Sequence, residues 1–362
     1  MIRVMHVIAT LDGDGAQRQM AGLVARIDRN RFAPSVCVLT RGGPVEDDLR
    51  RADVPFRILG KRWKFDFGVL PKIREMIDAV QADIVHTWMF TANAFGRRAA
   101  FQCRVRAAIA SERNVDAWKS WLHRAIDRRY AKRTHRIVCN SRDVLDHCVR
   151  DVGLPPEKLT VIENGLDLDR LRPTDPAELR RGLGVPEGVP LIGTAGRLME
   201  QKATHRLIDA LRELPGVHAR IAGDGPLRGD LQKRIDAAGL GDRCRLVGYV
   251  DRIADFLSML DVFVLCSTFE GSPNALAEAM ALGRPVVATD APGTRTVVRD
   301  RQTGLLVAPE KLVDGVRALL DNEDLRSVLA VRGRADVLDR YSMSEMVARY
   351  EALYEEATAS SR

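Results

Sequence analysis

Short apolar runs alternate with longer runs of helical spacing along most of the chain. Residues 2–9 and 84–87 are apolar runs of the length that predicts a buried strand, and residues 16–27 and 69–80 have the spacing of an amphipathic helix. Strands that alternate with helices are typical of a parallel, doubly wound sheet. A second alternating series starts at Leu191, and neither series has a solenoid-length repeat. The pattern predicts an α/β protein with two Rossmann-like domains.

A polar, proline-bearing segment separates the two series. It follows Asn164-Gly165, a turn signal, and carries four prolines up to Pro190. The last helical run covers residues 346–357. We therefore expect an N-terminal domain over residues 1–165, an interdomain linker over 166–190, a C-terminal domain over 191–342 and a C-terminal helical segment over 343–362.

Composition restricts the class of protein. Of the 362 residues, 46% are hydrophobic and 29% are charged, as in a globular protein that folds in water. No apolar run reaches the roughly 18 to 20 residues that span a bilayer, and the first residues lack the cleavage site of a signal peptide. The six cysteines are scattered without C-x-x-C spacing, which favours buried thiols over disulfides or a zinc site. These features predict a cytoplasmic protein.

The chain is basic, with a formal net charge of +7. A positive surface favours anionic partners such as nucleotides, phosphate-bearing acceptors or a membrane surface. No recognisable nucleic-acid-binding module accompanies the charge, so we expect no nucleic acid partner.

The most informative stretch is residues 266–285. An apolar strand over 261–266 is followed within a few residues by a helical run over 275–282. Gly271 and Pro273 interrupt any continuous helix between the two runs, and Asn274 is a suitable N-cap. The backbone N–H groups after such a turn form an anion site at the carboxyl end of a strand.

Two carboxylates flank this turn. Glu270 ends the strand, and Glu278 lies about one turn inside the helix. A carboxylate accepts two hydrogen bonds, so each suits the vicinal hydroxyls of a sugar or ribose. A solvated surface pair is the alternative interpretation.

The run FEGSPNALAE, residues 269–278, resembles the Glu-x7-Glu signature of retaining glycosyltransferases of family 4. This resemblance implies the GT-B fold, in which two Rossmann-like domains face each other across a cleft and the C-terminal helix returns to the N-terminal domain. It also implies that the turn residues bind a nucleotide-sugar donor, with Glu270 on the sugar hydroxyls and Glu278 on the ribose. The turn residues concerned are Gly271, Ser272, Pro273, Asn274 and Ala275.

The resemblance extends to the first strand of the second series. Arg197 and Lys202 follow that strand at the predicted carboxyl edge, the edge that also carries Glu270. They resemble the family's Arg and Lys that neutralise the departing nucleotide diphosphate, and the family needs neither a dedicated metal nor a cofactor. Loops at Gly223 and at Tyr249-Val250 match those that approach the nucleobase.

The first series carries a glycine loop, Gly13-Asp14-Gly15-Ala16, between a strand and a helix. As a dinucleotide fingerprint it is weak, since Arg18 stands where the third glycine would be. Small residues there let a ligand approach the backbone. The loop resembles the one that faces the donor in family 4 enzymes.

Three positions depart from the family pattern. Ala203 replaces the glycine after the lysine, and Thr296 stands where a glutamate usually precedes Val297. The histidine that many members place near the donor sugar is absent, so Arg113 and Asn114 are candidates for its polar contacts. A helix-capping loop is an equally good interpretation of Arg113 and Asn114. His86, at the end of a predicted strand, is interpreted as either structural or catalytic.

A predicted helix over 118–132 is basic and aromatic, with Trp118 and Trp121 on its apolar side and Lys119 among its charges. Such a helix either lies on an anionic membrane or packs on its own sheet. A second basic and aromatic patch, residues 61–65, is a candidate acceptor surface.

Together these features predict a metal-independent, retaining glycosyltransferase that moves a sugar from a nucleotide-diphosphate sugar, expected to be a UDP-sugar. The expected acceptor is a glycan or lipid-linked molecule of cell-envelope polysaccharide or lipopolysaccharide synthesis. Two alternatives stay open, a GT-B sugar-nucleotide epimerase and a catalytically inactive GT-B scaffold. Peripheral contact with the inner face of the membrane is a further expectation.

Overall fold

A computed structural model describes residues 1–63, 65–116 and 118–359. Lys64 of the predicted basic patch and the last three residues of the predicted segment 343–362 lie outside these ranges. The chain divides into two compact units. Unit 1 is formed by Met1–Gly165 together with the chain from Ser342 onward, and unit 2 by Leu166–Tyr341.

Unit 1 contains a parallel sheet that has seven strands in the described part of the chain, in the order β3-β2-β1-β4-β5-β6-β7. The strand order reverses between β1 and β4, which pair at the centre. The strands are β1 Ile2–Thr10, β2 Phe32–Arg41, β3 Phe56–Ile58, β4 Ile84–Trp88, β5 Ala107–Glu112, β6 Arg136–Cys139 and β7 Leu159–Val161. The helices are α1 Gly15–Arg26, α2 Val45–Arg51, α3 Val69–Ala79, α4 Met89–Cys103, α5 Trp121–Ala131 and α6 Arg142–His147.

Unit 2 repeats this plan with a parallel sheet of six described strands in the order β10-β9-β8-β11-β12-β13. The strands are β8 Leu191–Ala195, β9 His218–Ala222, β10 Cys244–Gly248, β11 Val262–Leu265, β12 Val286–Thr289 and β13 Leu305–Val307. The helices are α7 Pro176–Gly182, α8 His205–Ala210, α9 Arg228–Ala237, α10 Ile253–Ser258, α11 Asn274–Ala281, α12 Leu312–Asp321 and α13 Glu323–Arg340. The predicted pair of doubly wound parallel sheets is confirmed.

The segment predicted as a linker, residues 166–190, lies within unit 2. Leu166, Leu171 and Val185 are buried in its hydrophobic core, and the segment contains α7, whose N-cap Asp175 accepts a hydrogen bond from the Glu178 amide at 2.7 Å. Its prolines and polar residues resemble a linker in sequence. The three apolar side chains nevertheless fix it to the domain, because their burial stabilises the packed state.

The final helix, α14 Met343–Ala359, belongs to unit 1. One face, with Met346, Tyr350 and Tyr354, is buried in the core formed by the first sheet and α1. Arg31 pairs with Glu351 on this helix at 2.9 Å. No helix in the described ranges is long and apolar enough to cross a bilayer.

Candidate functional site

The reversal of strand order in unit 2 brings two loops together. Strand β8 pairs with β9 on one side and with β11 on the other, so the chain leaves the adjacent strands β8 and β11 at the same edge of the sheet. Ligands of doubly wound sheets bind at this kind of switch point. The loop after β8 carries Arg197 and Lys202, and the loop after β11 carries Glu270.

Glu270 is buried and held by charged and polar donors. Lys202 Nζ lies 2.6 Å from its Oε1, and the Ser267 hydroxyl donates to the same oxygen at 2.5 Å. The Lys202 side chain is 22% exposed and that of Glu270 is 7% exposed. A carboxylate oriented by two donors at a partly open edge is well placed to accept further hydrogen bonds from a ligand.

Sequence reasoning missed Gln201 and Ser267 at this site. The Gln201 side chain donates to the Phe269 carbonyl at 2.8 Å and lies 3.5 Å from Glu270 Oε2. The Gln201 carbonyl accepts the Thr268 amide at 2.9 Å. Ser267 acts on Glu270 from three residues earlier in the same loop. The role of Gln201 instead depends on the contact between two loops that are distant in sequence, which no local pattern reveals.

Close backbone approaches at this edge require glycine. A Cβ on Gly223, whose φ is +125°, would lie 1.9 Å from the Gly196 carbonyl oxygen. A Cβ on Gly293, whose φ is +80°, would lie 2.3 Å from the carbonyl oxygen of Glu270. Both distances are far inside van der Waals contact, so the loops after β8, β9 and β12 reach this arrangement only because these positions lack a side chain.

The turn after β11 differs in one detail from the prediction. Helix α11 starts at Asn274 with Pro273 in the capping position, so Asn274 is the first helical residue rather than the N-cap. Its amide and that of Ala275 therefore belong to the first turn, where helix N–H groups have no partner within the helix. Gly271 and Pro273 are buried, while Ser272 and Glu278 are half-buried.

The remaining predicted residues of unit 2 lie at the same edge. Arg197 is exposed directly after β8. The Gly223 amide donates to the Gly248 carbonyl at 2.7 Å, which joins the loops after β9 and β10. Tyr249 follows this contact and is 49% exposed, and Val250 is half-buried.

The glycine loop of unit 1 lies at the carboxyl end of β1, beside the reversal of strand order in that sheet. Helix α1 begins at Gly15, with Asp14 in the capping position, and Gly13 has a φ of +91°. Ala16 is buried within unit 1. The loop therefore has the small residues and the exposed helix start that a close ligand approach requires.

Arg113 is placed differently from an open phosphate ligand. Its side chain is buried, contacts the Tyr350 hydroxyl at 3.2 Å and the Asn164 side chain, and lies 5.2 Å from the centre of the Trp88 ring. Burial lowers the pKa of Arg113. These contacts fit neither the phosphate nor the helix-capping interpretation, and the contact with Tyr350 instead holds α14 within unit 1. Asn114 beside it is half-buried.

His86 belongs to the same buried region. Its two ring nitrogens share hydrogen bonds with the Tyr354 hydroxyl at 2.7 Å and the Ser111 hydroxyl at 2.8 Å. Burial, together with the nearby His6 and Arg113, holds the pKa of His86 well below its usual value. The imidazole is therefore neutral at physiological pH, and its contacts agree with the structural interpretation.

The predicted basic helix is shorter than expected, because α5 begins at Trp121. Lys119 precedes the helix and is buried, not on the charged face. Its Nζ lies 3.0 Å from Glu112 Oε2, 3.0 Å from Asp127 Oδ2 and 3.5 Å from Asp116 Oδ2. Arg97 Nη2 lies 2.7 Å from Asp127 Oδ1. We call these five residues, Lys119, Glu112, Asp116, Asp127 and Arg97, the Lys119 cluster.

The aromatic side chains around this helix are exposed instead. Trp118 is 55% exposed and Trp121 is 77% exposed. In the second predicted patch Trp63 is 61% exposed, whereas Lys61 is buried and donates to the Trp63 carbonyl.

Comparison with known proteins gives the family. The model of family 4 glycosyltransferases matches residues 13–170, and the model of group 1 glycosyl transferases matches residues 175–336. The chain belongs to the family 4, group 1 glycosyltransferases. The expected family and the GT-B fold are thereby confirmed.

Relatives agree with the family, and a solved structure agrees with the fold. The lipopolysaccharide core biosynthesis glycosyltransferase LpsE of Rhizobium meliloti is 33% identical over 61% of this chain and 64% of its own length. An Escherichia coli UDP-Gal:alpha-D-GlcNAc-diphosphoundecaprenol alpha-1,3-galactosyltransferase is 25% identical over 98% of this chain and 96% of its own. The fold matches that of Anabaena HepE, crystallised with UDP and glucose, with a TM-score of 0.88 at 21% identity over 98% of this chain and all of that one.

Proposed function

We propose that this glycosyltransferase moves a sugar from a nucleotide-diphosphate sugar to a glycan or lipid-linked acceptor with retention of anomeric configuration. The observation that carries the proposal is the Lys202–Glu270 pair, at 2.6 Å, at the switch point of unit 2. Lys202, Glu270 and the start of α11 lie at this edge. A single ligand with both a phosphate and sugar hydroxyls therefore binds the cation and the helix start through its phosphate and the carboxylate through its hydroxyls.

In this proposal the diphosphate is neutralised by Arg197, Lys202 and the first amides of α11. Arg197 supplies a planar fork and Lys202 a point charge, and both act most strongly when negative charge develops on the departing diphosphate. Lys202 keeps its contact with Glu270 and gains the phosphate as a second partner. Catalysis then consists of positioning and electrostatic stabilisation.

The two carboxylates hold the sugar and the ribose. Glu270, oriented by Ser267 and Lys202, binds hydroxyls of the transferred sugar, and Glu278, four residues into α11, binds the ribose hydroxyls. Tyr249 and Val250 lie at the nucleobase. We propose that the reaction uses no dedicated metal ion and no cofactor, because the protein's own cations neutralise the leaving group.

The relatives support the choice of substrates. LpsE is named for lipopolysaccharide core biosynthesis, and the E. coli relative for a UDP-galactose donor and a diphosphoundecaprenol acceptor. HepE was crystallised with UDP and UDP-glucose. We propose a UDP-sugar as the donor and cell-envelope polysaccharide or lipopolysaccharide synthesis as the role.

A nucleotide screen tests the proposal. UDP should raise the melting temperature of the protein more than GDP, ADP or NAD, because a ligand of the native state stabilises it. Lys202→Met should abolish most of this shift. Lys233→Met, at an 83% exposed lysine in α9, is the matched control and should keep it.

Turnover separates the proposal from its alternatives. Incubation with the UDP-sugar and a lipid-linked acceptor should release UDP and give an α-linked product by NMR from an α-linked donor, with the same rate in the presence of EDTA. Hydrolysis of the donor to UDP and free sugar, or its conversion to an isomeric UDP-sugar, without an acceptor would indicate an epimerase. No nucleotide binding at all would identify an inactive scaffold and reject the proposal.

We also propose that unit 1 docks on the inner, anionic face of the cell membrane. Exposed aromatic residues border α4 on two sides, with Trp118 against Phe90 at a ring distance of 5.4 Å and Phe67 against Phe95 at 5.8 Å. Exposed tryptophans and a basic chain are the features that favour binding to an anionic interface.

Vesicle co-sedimentation tests the docking. Wild-type protein should sediment with vesicles that contain phosphatidylglycerol, less so at high salt, and Trp121→Ser should reduce the bound fraction. Val331→Ser, at a 71% exposed apolar residue of unit 2, is the control and should leave it unchanged. Equal sedimentation of the Trp121 variant, or none by the wild type, would reject membrane docking.

A further inference from the structure

A cavity in unit 2 lies at the opposite edge of its sheet from Glu270. It has a volume of about 410 Å³ and is bordered by Pro190, Asp261 and Pro285. These three residues directly precede β8, β11 and β12. Because the strands are parallel, the cavity lies at their amino ends, whereas Arg197, Lys202 and Glu270 follow carboxyl ends. The proposed donor site therefore does not account for it.

Of the residues that the structure describes, three guanidinium groups and one carboxylate line this cavity, which we call the arginine cavity. The carboxylate is that of Asp261, whose Oδ2 accepts the Leu191 amide at 2.7 Å and lies 3.3 Å from Arg180 Nη1. Arg180 also donates to the carbonyls of Met259, at 2.9 Å, and Val189. Asp261 and Arg180 thus balance each other and form the structural wall of the cavity.

The other two arginines, Arg284 and Arg326, have no carboxylate partner among the described residues. Among the described residues Arg284 donates only through Nη1, to the Ser258 and Leu260 carbonyls at 3.2 and 3.3 Å. Its Nε is buried and has no acceptor among the described residues. Burial lowers the pKa of Arg284, and the nearby Asp261 carboxylate opposes this decrease without cancelling it.

Arg326 has the same arrangement. Its Nη1 donates to the carbonyls of Leu319 and Leu320 at 3.3 and 3.2 Å, at the end of α12. Within the described part of the chain its Nε and Nη2 make no hydrogen bond. Each arginine is therefore held in place by Nη1 and retains Nη2 for a ligand, and the two form an excess of positive charge in a concave site.

We propose that the arginine cavity binds a small phosphorylated molecule, with the phosphate between Arg284 and Arg326. Guanidinium forks bind phosphate oxygens in pairs, and such charge-assisted bonds are the strong ones. The volume lies in the range of small-molecule sites, about 300 to 1,000 Å³. Inorganic phosphate, pyrophosphate and a sugar phosphate share this chemistry, and the titration below distinguishes them.

Titration calorimetry at constant ionic strength tests the proposal, with phosphate, pyrophosphate and glucose 1-phosphate as separate ligands. At least one should bind the wild-type protein, and Arg326→Gln should weaken that binding at least tenfold. Arg332→Gln, at an exposed arginine of the same helix, is the matched control and should bind as the wild type does. Ser327→Glu places a negative charge at the cavity wall and should weaken binding as Arg326→Gln does. It replaces Arg326→Gln in the test if that variant does not fold.

Lys202→Met distinguishes this site from the proposed donor site. If the arginine cavity is the binding site, that variant keeps its affinity for the phosphate ligand while losing the response to UDP. Affinity lost in Lys202→Met and kept in Arg326→Gln and Ser327→Glu would place the ligand at the carboxyl edge and overturn the proposal. So would the absence of binding by all three ligands.

Discussion

At the scale of single residues, the candidate site depends on how the Glu270 backbone is held. Its amide donates to the Pro292 carbonyl at 2.8 Å, and its carbonyl lies against Gly293. The loop after β12 thus fixes the main chain, while Ser267 and Lys202 fix the carboxylate. Gly293 therefore contributes to the geometry of the site without any side chain to contact a ligand.

Gly293→Ala should displace Glu270 and reduce turnover. The new Cβ would lie 2.3 Å from the Glu270 carbonyl oxygen, so one of the two loops must move. A displacement of about 1 Å at a reacting group can reduce turnover by about 100-fold. Overpacking should also lower the free energy of unfolding by about 1 to 3 kcal/mol beyond backbone strain. Steady-state kinetics and urea unfolding measure the two effects.

Gly216→Ala is the matched control for this substitution. Gly216 has a similar φ of +75°, but no atom lies within 4 Å of the added Cβ. Gly216→Ala should lower the free energy of unfolding only by the strain of a left-handed backbone, about 1 to 2 kcal/mol. Its turnover should equal that of the wild type. Equal turnover of the two variants would show that Gly293 does not position Glu270.

At the scale of elements, the Lys119 cluster joins β5, α4 and α5. Glu112 ends β5, Arg97 lies in α4 and Asp127 in α5. Lys119 binds the carboxylates from the short connection between β5 and α5, which also carries the exposed Trp118. The buried lysine thereby fixes the segment that presents an aromatic residue to solvent.

Lys119→Met should destabilise unit 1. The substitution removes the cation that Glu112, Asp116 and Asp127 share and leaves Arg97 paired with Asp127. Breaking a buried pair in this way costs about 3 to 5 kcal/mol. Urea unfolding at about pH 7.5 measures the loss. Lys132→Met, at an exposed lysine just after α5, should change stability by less than about 0.5 kcal/mol.

Acid should restore part of the stability of the Lys119→Met variant. Burial already raises the pKa of Glu112 above its ordinary value of 4.5 and also raises that of Asp116, and Lys119 opposes both increases. Without Lys119 the folded state binds protons more tightly than the unfolded state, so stability falls as pH rises from the unfolded pKa through the raised folded pKa. Relative to Lys132→Met, the variant should therefore regain stability between about pH 7.5 and pH 5. A difference that is constant with pH would contradict this account.

At the scale of the whole molecule, each unit has its own hydrophobic core and its own reversal of strand order. In unit 2 the two edges of one sheet carry different chemistry. The carboxyl edge combines cations with carboxylates, and the amino edge holds the arginine cavity.

Hydrogen exchange should separate these two edges. UDP should slow amide exchange in segments 196–202 and 268–276, because the proposed diphosphate contacts involve those loops. The ligand that binds the arginine cavity should instead slow exchange in segments 259–262 and 320–330. Mass spectrometry of peptic fragments measures both effects. Protection of segments 320–330 by UDP, without protection of 268–276, would contradict the proposed position of the nucleotide.

The sequence by itself determined the parts of this protein that depend on local patterns. Alternating apolar and helical runs predicted two parallel α/β sheets, because strand burial and helix amphipathicity have different periods. The motif at residues 269–278 indicated the family, because it resembles the family's Glu-x7-Glu signature. Arg197 and Lys202 could be placed at the same edge because all strands of a parallel sheet end together.

The tertiary structure decided what depends on contacts between distant segments. Lys119, which has the pattern of a solvated face, is buried because three carboxylates from separate elements surround it. Arg113 contacts α14 instead of an open edge, and residues 166–190 pack into unit 2 despite a linker's composition. The arginine cavity combines residues from α7, α13 and the starts of strands. Burial and charge pairing act between side chains far apart in the chain, so only the folded arrangement reveals them.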